Sequence, residues 1–242
     1  MDYIHEFVSI IQSLDRSKSI ENVFRDFLAL STYSLAQPFY RSKEIEDKYM
    51  QIIKSYTHEQ AVEFSKLLAF LIEGLEQKYQ DFLGQIFMEL GFGNAKKGQF
   101  FTPYSVSKLM AEINVGNVEN IANRELITLS EPCSGSGGII IAYAESLKEK
   151  DYNYQNKLFV EAIDIDEMCF MMTYIQLSLY GIPARVMLGD TLAYKFSQII
   201  YTPMYFINGF SWKLKQYENK PKQQVEVINK FETLIPTQLT LF

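Results

Sequence analysis

The feature that most constrains the fold of this chain is a glycine-rich turn between two segments of different hydrophobic periodicity. Residues 126–129, Leu-Ile-Thr-Leu, are apolar and partly β-branched, which predicts a short buried strand. The turn Ser134-Gly135-Ser136-Gly137-Gly138 follows, and residues 139–150 then show a helical pattern. A strand, a turn and a helix in this order predict the start of a parallel sheet.

The same alternation continues towards the C-terminus. Residues 158–163, 184–188 and 197–201 predict three more strands, and residues 204–207 are a candidate extension of the last one. Residues 167–180 predict a helix that ends at Gly181. We therefore predict an α/β fold in which a parallel sheet carries helices on both faces.

The first ninety residues have a different pattern. Apolar residues recur there at steps of three and four, as in Phe7, Ile10, Ile11 and Leu14, which predicts a bundle of helices. No residue in this region suggests chemistry. We predict a helical N-terminal domain over residues 1–95, a Rossmann-like domain over 96–212 and a C-terminal tail over 213–242.

Composition excludes several classes of protein. An apolar fraction of 48% in 242 residues is that of an ordinary globular chain, so wholesale disorder is excluded. The net charge of −6 argues against a protein that coats nucleic acid by bulk charge. Two cysteines make neither a disulfide framework nor a cysteine zinc site, and no metal site is predicted. With no secretion signal and no apolar run of about 20 residues, a cytoplasmic location is the expectation.

The glycine turn suggests a nucleotide-like ligand, because glycines let the backbone approach a ligand and a helix N-terminus offers free N–H groups. The turn lacks the third glycine of a dinucleotide-binding loop and the lysine of a phosphate-binding loop. Acidic residues accompany it instead: Glu131 precedes it, and Asp164 and Asp190 end the next two strands. Carboxylates suit an ammonium group, ribose hydroxyls and an adenine amino group, which together favour S-adenosylmethionine over NAD or ATP.

Four segments in order resemble the motifs of adenine-N6 DNA methyltransferases. They are Gly-Gln-Phe-Phe-Thr-Pro at 98–103, Glu-Pro-Cys-Ser-Gly-Ser-Gly-Gly at 131–138, Glu-Ala-Ile-Asp-Ile-Asp at 161–166 and Gly-Asp-Thr-Leu at 189–192. The chain is most similar in style to the modification subunits of type I restriction-modification systems, which also have a helical region before the first motif. The resemblance covers roughly residues 80–195 and implies an S-adenosylmethionine-dependent methyltransferase domain, abbreviated in this chain.

The resemblance also implies roles for individual residues. Glu131 would meet the amino group of the cofactor, Asp164 its ribose and Asp190 its adenine, while other residues of the first two motifs would line the pocket. The complete predicted cofactor set is Gln99, Phe100, Phe101, Thr102, Pro103, Glu131, Gly135, Ser136, Gly137, Asp164 and Asp190.

One motif of the family is missing. These enzymes carry an Asn/Asp-Pro-Pro-Tyr/Phe tetrapeptide that binds the flipped target adenine, and this chain contains none. The best positional match is Thr202-Pro203-Met204-Tyr205, in which the carbonyl of Pro203 could accept a hydrogen bond and Tyr205 could stack on a base. Two hypotheses follow: a DNA adenine-N6 methyltransferase with reduced or partner-dependent activity, or an inactive relative that binds S-adenosylmethionine and acts as a DNA- or partner-binding module.

The last five residues, Gln-Leu-Thr-Leu-Phe, resemble the peptide with which bacterial replication and repair proteins dock on the sliding clamp. In that interpretation Gln238 supplies an orienting amide, and Leu239, Leu241 and Phe242 fill apolar pockets. The alternative is that this apolar end packs back on the core. The expected partners are thus DNA, a sliding clamp and a specificity or other partner subunit.

Overall fold

In a computed structural model, residues 2–93, 100–116 and 124–219 are described. The described part of the N-terminal region contains five helices: α1 (Tyr3–Ser13), α2 (Ile20–Tyr40), α3 (Lys43–Ile53), α4 (His58–Gln77) and α5 (Phe82–Glu89). Side chains cap the starts of these helices; Ser19 accepts from the backbone of Asn22, and Thr57 forms a reciprocal capping box with Gln60. Gly91, at φ 74°, lies just past the end of α5 in the conformation expected of a terminating glycine.

Within the described residues, the sheet has four strands in the order β1 (Ile127–Glu131), β2 (Leu158–Asp164), β3 (Ala184–Asp190) and β4 (Lys195–Tyr201). The first three strands are parallel, and β4 is antiparallel to β3. The remaining helices are α6 (Tyr104–Val115), α7 (Gly138–Lys148), α8 (Tyr154–Lys157), α9 (Glu167–Leu179), α10 (Pro203–Ile207) and α11 (Phe210–Glu218). None of the described helices is long and apolar enough to cross a bilayer.

The direction of β4 corrects the predicted all-parallel sheet. Only four residues, 191–194, connect β3 to β4. A parallel connection requires a crossover of a dozen or more residues, so a link of this length can form only a hairpin. The chain therefore turns back along β3, and residues 203–207, considered as extended in the sequence, form helix α10 at the far end.

Helix α9 joins the helical region to the sheet. Ten of its consecutive residues, from Met168 to Leu177, are buried, as expected for a helix that packs on several sides. It contacts β2 and β3 on one side and α2 on another. The predicted fold class is confirmed: a helical N-terminal region precedes a Rossmann-like α/β sheet. The predicted division at residue 95 stays a prediction.

Helix α6 buries a face that its sequence does not predict. The apolar residues Val106, Leu109, Met110 and Ile113 recur at helical spacing, yet all four side chains are exposed. Ser107, Ala111 and Val115 are buried instead, and α6 packs against α7. The helix begins at Tyr104, and Pro103 occupies its N-cap position.

The chain divides into a compact unit that ends at Phe210 and a second one that begins at Ser211. The predicted C-terminal tail begins at residue 213, but helix α11 continues to Glu218. Residues 220–242, including the predicted clamp peptide, lie outside the described residues.

Candidate functional site

The candidate site is built on the turn between β1 and α7, at the carboxyl edge of the parallel strands. Gly135 (φ 57°) and Gly137 (φ 93°) both take left-handed conformations that other residues adopt only with strain. The backbone N–H of Ser134 donates to the carbonyl of Ile163 on β2 at 2.8 Å, which fixes the start of the turn to the neighbouring strand. Helix α7 then begins directly at Gly138, so its N-terminal N–H groups belong to this edge.

Four side chains from distant parts of the chain hold this turn. Asp164 at the end of β2 accepts from the Gly135 N–H at 2.8 Å. On α9, the Thr173 hydroxyl donates to the Gly135 carbonyl at 2.9 Å, and the Gln176 amide donates to the Ser136 carbonyl at 2.8 Å. The hydroxyl of Ser136 donates to Asp81, which precedes α5. The shape of the turn is thus determined by tertiary contacts as well as by its glycines.

A cavity of about 480 Å³ opens beside the turn, a volume within the usual range for small-ligand sites of roughly 300–1,000 Å³. Six residues of the predicted cofactor set line it: Phe100, Phe101, Thr102, Gly135, Ser136 and Asp164. The other lining residues have no predicted role in cofactor binding: Asp81, Ser107, Cys133, Ser134, Gly138, Ile139, Ile165, Asp166 and Cys169.

The carboxylate of Asp164 is fixed but keeps the capacity to bind a ligand. Its Oδ1 accepts from the Asp166 N–H at 2.9 Å, and its Oδ2 from Gly135. A carboxylate offers about four acceptor positions, so capacity for a ligand hydroxyl remains. Burial raises the pKa of Asp164 above its ordinary value, and the backbone donors of Asp166 and Gly135 oppose that rise. Two fixed oxygens at a cavity wall are suited to a pair of ligand hydroxyls.

Glu131 and Asp190 lie at the same edge of the sheet but do not line the cavity. Burial raises the pKa of Glu131, and the neighbouring charge of Asp164 adds to this effect. The side chain of Asp190 accepts from the backbone N–H groups of Leu192 and Ala193 and so caps the β3–β4 hairpin. Gly137, also predicted, shapes the turn without lining the cavity.

Phe101, in the segment before α6, packs against the turn. A Cβ atom at Gly135 would lie 3.2 Å from the Phe101 ring, so the two groups are in close contact. The Phe101 ring also packs on Phe87 of α5, with centroids 4.9 Å apart. Pro103 caps α6 and does not reach the cavity lining, and Gln99 lies outside the described residues.

Exposed apolar side chains surround this edge of the sheet. Phe100 and Ile165 line the cavity while remaining largely accessible, and Leu192, at the hairpin tip, is 99% exposed. Tyr194, also exposed, has a positive φ of 51°, which is uncommon for an aromatic residue. The hairpin is tied to the glycine turn because the Thr191 hydroxyl donates to the Pro132 carbonyl at 2.6 Å.

The expected approach of Pro203 and Tyr205 to this site is not observed. Because β4 runs antiparallel to β3, its end lies beside the start of β3; the Thr202 N–H donates to the Ala184 carbonyl at 3.0 Å. Seven residues of β3 separate this position from the cofactor edge, a distance of about 20 Å. Tyr205 packs there against Tyr201, with ring centroids 4.3 Å apart.

Thr202, the first residue of the best positional match to the missing tetrapeptide, has a structural role. Its side chain is fully buried; the hydroxyl donates to the Ile182 carbonyl at 2.7 Å and accepts from the Ala184 N–H at 2.9 Å. Both hydrogen-bonding capacities are therefore used within the fold.

The residue that sequence reasoning missed most clearly is Asp81. It stands three residues before Gly84 at the start of a helix, a pattern typical of an ordinary cap. No local signal indicates that the helix start would reach the glycine turn 55 residues later. That contact depends on the packing of α5 against α9.

The sequence matches the N-6 DNA Methylase family over residues 78–238. A comparison with curated proteins finds no match.

Two solved structures are similar at low identity. One is a protein from Listeria monocytogenes provisionally described as a class I S-adenosylmethionine-dependent methyltransferase (13% identity, TM-score 0.46, 80% of this chain and 55% of that one). The other is a modification subunit of a provisionally assigned type I restriction enzyme from Vibrio vulnificus (15% identity, TM-score 0.36, 61% of this chain and 28% of that one). This chain thus spans about half of the first structure and less than a third of the second. The family match, which covers more than half of the sequence, identifies this chain as a member of the N-6 DNA methylase family.

Proposed function

We propose that this chain binds S-adenosylmethionine in the cavity beside the glycine turn and takes part in adenine-N6 methylation of DNA. The observation that carries the proposal is the turn itself, held by Asp164 on one side and opening on a cavity that six residues of the predicted cofactor set line. Membership of the N-6 DNA methylase family supports the same ligand and the same substrate class.

The residues present fit this cofactor. Asp164 has two fixed oxygens with spare acceptor capacity, which suit the two hydroxyls of a ribose. Glu131 is a partly buried carboxyl at the same edge, and a carboxylate there favours an ammonium group over a phosphate. Phe101 and Thr102 also line the cavity. When bound, the cofactor would supply an electrophilic methyl group on a positively charged sulfur.

The chain's own residues would hold and orient the cofactor rather than activate the adenine. A target-base site should lie at the carboxyl edge, yet Pro203 and Tyr205 lie at the opposite end of the sheet. The apolar side chains exposed at the cofactor edge, among them Phe100 and Tyr194, could contact a base, but they provide no amide or carboxylate for its amino group. We propose that a partner subunit completes the target site, so that methyl transfer depends on that partner.

A second function has one observation in its favour. The tetrapeptide that binds adenine is absent from the sequence, whereas the cofactor motifs are present. A relative that retained S-adenosylmethionine binding and lost transfer would act by occupying DNA or a partner, and it would keep the cavity.

Two measurements on the purified chain test these proposals. Calorimetric titration with S-adenosylhomocysteine tests the cofactor site, and binding is the expected result. Transfer of tritiated methyl groups to DNA free of adenine methylation, with and without cell extract as a source of partners, separates the two functions. No cofactor binding would reject the site, and transfer that no extract restores would favour the second function.

A further proposal concerns the C-terminal peptide, whose residues lie outside the described part of the chain. Leu239, Leu241 and Phe242 would fill apolar pockets of a bacterial sliding clamp, and Gln238 would orient the peptide. Burial of two or three such side chains at about 1.5–3 kcal/mol each, less the ordering of a flexible peptide, predicts micromolar affinity. Fluorescence anisotropy of a peptide with this sequence against a clamp tests it. No binding, or binding unchanged when Leu241 and Phe242 are replaced by Ala, would reject it. A cytoplasmic location is part of the same proposal.

A further inference from the structure

Asp81 belongs to the helical N-terminal region but lies in the wall of the candidate cofactor cavity. It caps helix α5, and its side chain is only 5% exposed. A carboxylate that only caps a helix would normally stay near solvent, because burial of a charge is unfavourable unless several groups compensate it. The position of Asp81 therefore needs an explanation beyond the start of α5.

Three donors compensate the carboxylate, and they come from three different elements. Oδ1 accepts from the Gly84 N–H of α5 at 2.9 Å and from the Gln176 amide of α9 at 2.9 Å. Oδ2 accepts from the hydroxyl of Ser136 in the glycine turn. Burial raises the pKa of Asp81, and these three hydrogen bonds oppose the rise.

Gln176 also takes part in this contact between α5, α9 and the glycine turn. Besides its bond to Asp81, its amide donates to the Ser136 carbonyl at 2.8 Å, and its oxygen accepts from the Leu83 N–H at 3.1 Å. The side chain is fully buried, and all of its hydrogen-bonding groups are used. Ser136 is thus bound through its hydroxyl by Asp81 and through its carbonyl by Gln176.

Two glycines allow the carboxylate to approach this closely. A Cβ atom at Gly84 would overlap Asp81 and lie 2.6 Å from the Ser136 hydroxyl. A Cβ atom at Gly138, the first residue of α7, would lie 3.0 Å from Oδ2 of Asp81. The carboxylate is therefore wedged between the starts of two helices, in a gap that permits little displacement.

We infer that Asp81 is a positioning residue of the cofactor site. It holds the glycine turn in a fixed position relative to helix α5. Its contact with Ser136 fixes the middle of the turn. This part of the turn would then serve the amino-acid end of the cofactor. Asp164, by contrast, holds Gly135 at the ribose end. This inference rests on the proposed cofactor function and adds that the helical region sets the shape of the site.

The test compares Asp81→Ala with Ser19→Ala, a cap substitution at the start of α2 that is not in contact with the cavity. Each variant, in the full chain, is titrated with S-adenosylhomocysteine and with adenosine, which lacks the amino-acid end. We expect Asp81→Ala to weaken S-adenosylhomocysteine binding about tenfold or more, in line with loss of a hydrogen bond to a charged group. Adenosine binding should change much less, and Ser19→Ala should change neither affinity.

Asp81→Asn covers the case in which the Ala variant does not fold. Asn keeps the size of the side chain and one acceptor, so a smaller loss is expected. When Ser136→Ala is already present, Asp81→Asn should have little further effect, because the two residues act through one contact. Amide hydrogen exchange in peptides that contain Ser136 should also be faster in the Asp81 variants without ligand.

The outcomes separate this inference from the function on which it rests. If the wild-type chain binds neither ligand, the proposed function fails. If the wild-type chain binds both ligands and the Asp81 variants bind S-adenosylhomocysteine as tightly, the inference is overturned. Equal losses for the two ligands, or fully additive effects with Ser136→Ala, would also overturn it, since Asp81 would then support the fold in general.

Discussion

The two edges of the sheet each carry a segment that resembles a family motif, but only the segment at the carboxyl edge lies at a cavity. At the carboxyl edge, the glycine turn is held by side chains from the region before α5, from β2 and from α9, and it opens on a cavity. At the amino edge, Thr202 and Tyr205 match the target-base motif by position along the chain. There Thr202 hydrogen-bonds to the start of β3, and Tyr205 packs against Tyr201 at the end of β4. A motif's position in the sequence indicates a role only if the connections on either side bring it to the right edge of the sheet.

The largest expected effect concerns methyl transfer by the isolated chain. If the amino edge takes no part in catalysis, the described residues place no counterpart of the family's tetrapeptide at the carboxyl edge. If the missing side chain contributes as much as a typical oxyanion-hole donor, its loss lowers the rate by about 10²–10³-fold. A tritium-transfer assay on DNA that lacks adenine methylation measures this. A rate ordinary for such enzymes from the purified chain would show that the target-base site has been misplaced.

The next prediction compares how a substitution at each edge of the sheet changes the affinity for the cofactor. Asp164→Ala removes two fixed acceptors from the cavity and should weaken S-adenosylhomocysteine binding by about 1.5–3 kcal/mol, or roughly ten- to a hundredfold. The matched change at the other edge, Tyr205→Ala, should leave the affinity unchanged, because that ring packs about 20 Å away. Calorimetry on both folded variants makes the comparison. Similar losses in the two would contradict the separation.

A third prediction tests the structural role of Thr202. Thr202→Val keeps the shape of the side chain but leaves the Ile182 carbonyl and the Ala184 N–H without their buried partner. The free energy of unfolding should fall by about 1–3 kcal/mol, measured by urea denaturation. Thr202→Ser, which keeps the hydroxyl, serves as the control and should retain most of the stability. If Val were as stable as wild type, the hydroxyl would not hold the hairpin end.

The smallest effect is a dependence of cofactor affinity on pH. Burial raises the pKa values of Asp164 and Glu131, so both carboxyls become neutral at a higher pH than ordinary carboxyls do. S-adenosylhomocysteine binding should therefore weaken on acidification, starting above the ordinary carboxyl range of about 4. A raised pKa means that the folded state binds these protons more tightly, so protonation of these two groups does not itself unfold the protein.

Titrations of S-adenosylhomocysteine and adenosine across the same pH range provide the control for this prediction. Adenosine carries no ammonium group and should respond less to the charge of Glu131. An affinity for S-adenosylhomocysteine that stays constant down to the ordinary carboxyl range would contradict the proposal that ionised Asp164 and Glu131 bind the ligand.

The sequence predicted the elements of this protein better than their packing. Strand and helix periodicity located β1 to β3 and α9 to within a few residues, because local hydrophobic patterns follow element geometry. On α6 the apolar residues at helical spacing are exposed, and the buried residues Ser107, Ala111 and Val115 lie in the helix that packs against α7. The direction of β4 could have been deduced from the four-residue link before it, which is too short for a crossover.

By itself the sequence determined the glycine turn, the acids at the strand ends and the order of motifs, since these depend on residue type and short spacings. The tertiary structure alone decided that Asp81 reaches Ser136 and that Tyr205 lies away from the cavity. Both outcomes depend on contacts between residues far apart in the chain, the first through the packing of α5 on α9 and the second through the reversal at the β3–β4 hairpin. Local patterns carry little information about such contacts, because burial and strand pairing are properties of the whole fold.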